Sequence, residues 1–131
     1  MSKKEHNLSW YKKKCIDMAK ILAKQRDGWT CQRCGRKKGE VQIHGSHIFP
    51  TRYGILASDP ENIIALCAGC HDLRMDSWHG SPLESAEWFE SKYPGRKQEL
   101  QDKMSTVPEK LTIIYWQERY TLLKQTISSS K

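Results

Sequence analysis

Apolar bulk is what this sequence has least of. Leu, Ile, Val and Phe together make up 24 of 131 residues, or 18%, and only two of them are valines. A share under about 20% combined with net charge is typical of chains that stay disordered, because too little apolar area is available to offset chain entropy. Something other than a large core must hold this chain together, or it does not fold. With two valines, any sheet must be small. No run approaches the roughly 18 to 20 apolar residues of a membrane span, and the segment MSKKEHNLSWYKKK lacks the apolar stretch of a secretory signal. The expectation is a cytoplasmic protein with no membrane partner. Internal repeats and linker-like Pro, Gly or Ser tracts are also missing, so one domain over 1–131 is the default.

Acidic residues are scarce in the first third. Residues 1–40 hold 12 Lys and Arg against four Asp and Glu, while residues 41–131 hold 10 against 11, so the net +7 comes entirely from the first third. A basic end suits a polyanion, most often nucleic acid, although a lysine-rich surface that only confers solubility has the same composition.

Periodicity predicts three regions. Over 9–28, with Ser9 as N-cap and Gly28 as stop, Tyr11, Cys15, Met18 and Leu22 recur at helical spacing, and Cys15 on that stripe reads as a small core residue. Residues 29–79 are irregular with two short strands. Val41 and Ile43 alternate with Gln42 and His44, with Ile48 and Phe49 as an extension, and Ile63-Ile64-Ala65-Leu66 leads into Cys67. A helix starting near Cys70 would carry His71 and Leu73. Residues 81–127 read as helices. Ser81-Pro82-Leu83-Glu84 forms a capping box ahead of Leu83, Ala86, Phe89 and Tyr93, and Pro94-Gly95 ends that helix. A short helix follows around Gln98 to Met104. Thr106-Val107-Pro108-Glu109 then repeats the box ahead of Leu111, Ile114, Tyr115 and Leu122.

The missing source of stability is legible in the cysteines. Cys31 and Cys34 form one C-x2-C pair and Cys67 and Cys70 another, 36 residues later. Two such knuckles supply the four thiolates of a closed tetrahedral site, so a structural Zn2+ is expected. A disulfide pairing conflicts with a cytoplasmic chain, and a redox dithiol needs only one copy. The 36-residue separation exceeds that of a simple zinc ribbon and leaves room for a functional insertion.

That insertion holds His44-Gly45-Ser46-His47-Ile48-Phe49-Pro50 and Asn62, with His71 immediately after Cys70. Cleaving a phosphodiester needs a base to deprotonate water, a group that orients it, and a divalent ion to stabilise charge on the phosphate, and a neutral imidazole suits the first role. In Cys31-x2-Cys34, Ser46-His47-Ile48-Phe49-Pro50, Asp59-Pro60-Glu61-Asn62 and Leu66-Cys67-Ala68-Gly69-Cys70-His71, in that order, the sequence resembles the HNH endonuclease family. The later stretch His79-Gly80-Ser81-Pro82-Leu83-Glu84-Ser85-Ala86-Glu87-Trp88-Phe89 looks like the tail of phage-encoded members.

The resemblance implies an α+β fold. A small ββα-metal (HNH, His-Me finger) core with the four-cysteine zinc site would lie between an N-terminal helix and C-terminal helices. It implies a phage-encoded, divalent-metal-dependent endonuclease that hydrolyses DNA, possibly by nicking, acting as a monomer or homodimer. His47 resembles the family's general base, Asn62 the residue that orients the base or constrains its loop, and His71 a ligand of a catalytic Mg2+, Mn2+ or Ni2+. Ser46 departs from the acidic or imidazole ligand usual before the base. His44, two residues away on one strand face, is the nearer second ligand, with His79 another, and this softer set suits manganese or nickel. Equally, His44 reads as an exposed strand residue and His79 as part of a turn. Arg33, Arg36, Lys37, Lys38 and Arg52 are candidate phosphate contacts or a solvated loop, whereas Trp29, Trp88 and Trp116 read as packing residues. The alternatives to an enzyme are a non-catalytic zinc-stabilised DNA-binding module and an adaptor for phage packaging or recombination proteins.

Overall fold

A computed structural model describes residues 6–73, 78–106 and 111–129. Helix α1 (Leu8–Arg26) starts at Asn7, whose side-chain oxygen accepts the Trp10 N–H at 2.9 Å. Ser9 therefore lies inside the helix rather than capping it. The C-terminal end is the one the sequence announces. Gly28, at φ +64°, sits where a side chain would strain the turn. Its N–H reaches the Gln25 carbonyl at 3.0 Å and the Trp29 N–H reaches Lys24 at 2.8 Å, a Schellman stop.

The sheet is as small as two valines require. Strand β1 (Ile43–His47) pairs antiparallel with β2 (Ile63–Cys67), with Ile43 opposite Cys67 and His47 opposite Ile63. Val41 falls outside the strand, in a single bridge to Lys38 within the first knuckle, and the strand stops before Ile48 and Phe49. A helical turn, α2 (Gly54–Ala57), and a 3-10 turn (Pro60–Asn62) join the strands. After β2 comes a π-helical turn over Gly69–Leu73, where a helix was expected.

One face of the hairpin lies against α1, where Ala19 and Ala23 pack on Ile63. The closeness of this approach shows at Gly45, where an added Cβ would meet Lys20 Cγ at 2.8 Å. The other face carries Ile64 and Leu66 in a cluster with Phe89, flanked by Trp78 and Trp88. The Arg26-Asp27 pair closes the outer edge of β2. Asp27 accepts the Ala65 N–H at 2.9 Å, and Arg26 donates to the Pro60 and Ile63 carbonyls at 2.7 and 2.6 Å. Backbone groups that would otherwise be open to another strand are thereby occupied.

Three helices follow, α3 (Pro82–Lys92), α4 (Arg96–Ser105) and α5 (Ile113–Ser129). Ser81 precedes α3 as expected but makes no side-chain cap, and Leu83 is 83% exposed. The helix is turned so that Ser85 and Phe89 face inward. In α5 the inward residues are Trp116 and Leu123, while Ile114 and Leu122 are exposed. Residues 107–109 of the second expected capping box lie outside the described residues. Helix α5 packs on α1 through Trp116, Leu123 and Cys15. Cys15 is fully buried, and that burial raises its thiol to about 11, which suits an inert core residue. None of the described helices is long and apolar enough to cross a membrane.

Candidate active site and metal centre

The four knuckle cysteines converge, with their sulfurs all within 4.8 Å of one another. The two turns are built alike. The Cys34 N–H donates to Cys31 Sγ and the Cys70 N–H to Cys67 Sγ, each at 3.4 Å. Two linking residues in each knuckle, Gln32-Arg33 and Ala68-Gly69, let the chain turn tightly so that both thiols of each pair face the same point. The Gln32 N–H reaches the Ala65 carbonyl at 2.9 Å, and the Ala68 N–H reaches Gln42 at 3.0 Å, so each knuckle is also tied to neighbouring backbone. Cys34 Sγ and Cys67 Sγ lie 3.6 Å apart, well beyond disulfide length.

Charge explains what the set is fitted for. Burial opposes ionisation of Cys31, but backbone N–H groups around its sulfur outweigh burial and bring it down to about 7. Cys34 and Cys70 are pushed up, first by burial and then by the neighbouring sulfurs. Cys31 ionises readily while Cys34 and Cys70 resist further negative charge, an opposition that a bound cation removes. The four cysteines are positioned to hold a metal ion such as zinc, and among the described residues they are the one group of three or more metal-binding side chains that meets at a point.

The histidines fall into two places. Side chains alternate along β1, so His44 and Ser46 share the face away from α1, and His47 shares the opposite face with Gly45. On the first face, His44 Nδ1 lies 2.9 Å from His71 Nδ1, and His71 Nε2 lies 2.9 Å from His79 Nε2. Ser46 on this face is 1% exposed, and its hydroxyl is the one buried side-chain polar atom without a partner among the described residues.

On the second face, His47 Nε2 donates to the Ala57 carbonyl at 2.8 Å. Burial is the largest influence on its pKa and lowers it. The Ala57 bond raises it, and the Lys20 charge lowers it further, with a net shift below the ordinary histidine value. The Trp78 indole holds the His47 carbonyl at 3.2 Å. Asn62, fully buried, accepts the Phe49 N–H at 2.9 Å and donates to the carbonyls of Phe49 at 2.9 Å and Leu56 at 3.1 Å. It thus ties the start and end of the loop that presents Ala57 to His47.

Residues 31–76 match the HNH endonuclease family model. The chain carries an HNH domain. No curated protein and no solved structure matches the chain. The HNH match takes in both knuckles, β1, β2, His47, Asn62 and His71, while α1 and everything from Trp78 onward, including His79, lie outside it.

The basic candidates are dispersed around the HNH domain. Arg33 stacks on Trp88 at 5.6 Å and Arg52 on Tyr53 at 5.0 Å, while Lys38 sits over Trp29 at 4.5 Å. Arg36 and Lys37 are exposed on the first knuckle. Sequence reasoning missed the Ala57 carbonyl, a backbone group with no signature, and Lys20, which one turn of α1 brings beside β1.

Proposed function

We propose that this HNH domain makes the chain a divalent-metal-dependent endonuclease acting on DNA, with a structural zinc in the four-cysteine site. The observation that carries the reading is the hydrogen bond from His47 Nε2 to the Ala57 carbonyl. A carbonyl only accepts, so the Nε2 proton stays in place and the Nδ1 lone pair is left to take a proton from water. The depressed pKa of His47 keeps that lone pair available at neutral pH. Asn62 acts by fixing the loop that carries Ala57, which makes it a positioning residue.

The first face, which carries His44 and Ser46, suits a divalent ion. Two imidazole nitrogens each about 2.1 Å from one ion, at right angles, are about 3 Å apart, and His44 Nδ1 and His71 Nδ1 are 2.9 Å apart. The unpartnered Ser46 hydroxyl lies on the same strand face and gives the group a further oxygen. His44 and His71 would hold the ion, with His79 supporting the far nitrogen of His71. When bound, such an ion supplies charge stabilisation to the phosphate and the leaving oxygen. An imidazole-rich set with no carboxylate suits manganese or nickel at least as well as magnesium.

The test is cleavage of supercoiled plasmid by the zinc-loaded protein in magnesium, manganese or nickel. Scission is expected, and His47→Ala should abolish it while zinc content and circular dichroism stay unchanged. Undiminished cleavage by that variant would overturn the base assignment. The serine at position 46 favours one rival reading, a zinc-stabilised module that binds DNA without cutting. That rival gives salt-sensitive gel retardation and no scission with any of the metals. The resemblance of residues 79–89 to the tail of phage-encoded members supports a phage setting.

A further inference from the structure

On the α1 side of the hairpin, Lys20, Lys24 and Lys38 lie close enough to influence one another, with Lys20 next to His47, and among the described residues none of the three pairs with a carboxylate. Lys24 Nζ lies 5.1 Å and Lys38 Nζ 4.5 Å from the centroid of the Trp29 ring. Two backbone features fix that arrangement. Trp29 holds φ +53°, a left-handed conformation costly for a bulky residue, and the Lys38 N–H donates to the Trp29 carbonyl at 2.9 Å. Lys20, one turn before Lys24, lies across β1 where Gly45 has no Cβ, and His47 follows Gly45 by two residues on the same strand face.

The charges sense one another. Lys24 is easier to deprotonate than an ordinary lysine, first because of burial and then because of Lys20 and Lys38, and Lys20 also acts on His47. Among the described residues, no ion pair joins Lys20, Lys24 or Lys38 to a carboxylate. Elsewhere the chain does neutralise its cations. Lys13 meets Asp17, Arg96 meets Glu61 and Lys103 meets Asp59. A run of repelling cations held by a strained aromatic costs folding energy, and an anion on top of it returns that cost.

We propose that Lys20, Lys24 and Lys38, ordered by Trp29, form a track that holds the backbone phosphates of duplex DNA next to the bond presented to His47. The track deepens the nuclease reading and rests on it. A strand passing His47 has the Lys20 side chain as its neighbour on this face, and the same line continues over Trp29 to the first knuckle. The surface lies on α1 and the knuckle, so most of it is outside the histidine cluster and the metal centre.

The experiment measures binding of a short labelled duplex to the full zinc-loaded chain as a function of salt, without added catalytic metal. Plasmid cleavage is scored in parallel. Each lost phosphate contact lowers the slope of log K against log salt by about 0.9, so the triple variant Lys20→Gln, Lys24→Gln, Lys38→Gln is expected to lose about 2.7. A matched triple, Lys92→Gln, Lys97→Gln, Lys124→Gln, removes the same charge from α3, α4 and α5 and is expected to keep the wild-type slope. Zinc content and circular dichroism confirm that both variants fold. If the two triples lose equal slope, or the first loses none while the wild type binds and cuts, the track is wrong and the nuclease reading stands. A wild type that neither binds nor cuts overturns both.

Discussion

His47 and Ala57 are joined by a 2.8 Å hydrogen bond that runs from a strand end to a helical turn ten residues later in the chain. The bond fixes which imidazole nitrogen keeps its proton, and burial around it favours the neutral ring. The pH dependence follows with a definite sign. With His47 as the proposed base, the acid limb of cleavage should lie below the ordinary histidine value, because that base is lost only when His47 protonates. Lys20→Gln removes one cause of the depression, so it should move that limb to higher pH. A pH–rate profile of both proteins checks this, and coincident limbs would count against it.

The same group links to stability. The folded state binds a proton at His47 less readily than the unfolded chain, so its contribution is complete above the ordinary pKa of about 6.5 and falls away as pH drops through the depressed value. In His47→Asn this fall should be smaller between neutral and mildly acidic pH. Denaturant midpoints measured across that range, at fixed zinc, are the readout.

Zinc removal should unfold the HNH domain rather than only inactivate it. The low aliphatic share leaves little else to bind the first knuckle to β2, and structural zinc contributes on the order of 10 kcal/mol of apparent folding free energy in small domains. Cys67→Ser leaves three thiolates around the ion and is expected to lose zinc and cooperative melting together. Cobalt substitution gives an independent reading, since four thiolates around Co2+ produce strong tetrahedral absorption that three thiolates and a water weaken. A variant that melts like the wild type without metal would contradict the role assigned to the site.

How much of this was legible depends on whether the signal was a side chain in sequence or a contact across it. The knuckles, the two strands and the Gly28 stop were readable because spacing and residue type carry them locally. Helix α1 is capped by Asn7 and not by Ser9; both are good caps, and only the Asn7 bond to Trp10 decides between them. The inward faces of α3 and α5 match those expected at Phe89 and Tyr115, Leu111 packs inward just before α5, and Trp116 packs as read. Ser85 is buried while Leu83, Ile114 and Leu122 are exposed, because the packing partners on β2 and α1 decide which residues turn inward. For the candidate site, order alone singles out His47, Asn62 and His71 as candidates. That His71 would meet His44 and His79, while His47 faced Ala57, required the hairpin register.

Asn62 offers the sharpest separation of structure from chemistry. Its amide satisfies three backbone groups at once, two around Phe49 and one at Leu56, with no exposure to water. Asn62→Ala leaves those groups without partners and should destabilise the fold by roughly 2–4 kcal/mol. Asn62→Asp keeps the shape and the acceptor but loses both donated bonds, and its carboxylate faces two carbonyls, so it should be no better tolerated than alanine. Because the loop carrying Ala57 is what Asn62 ties, cleavage should fall in both variants even at temperatures where they stay folded, with the acid limb of the pH profile shifting as the His47 bond loosens. Full activity in a folded Asn62→Ala protein would show that the loop holds Ala57 in place without the amide.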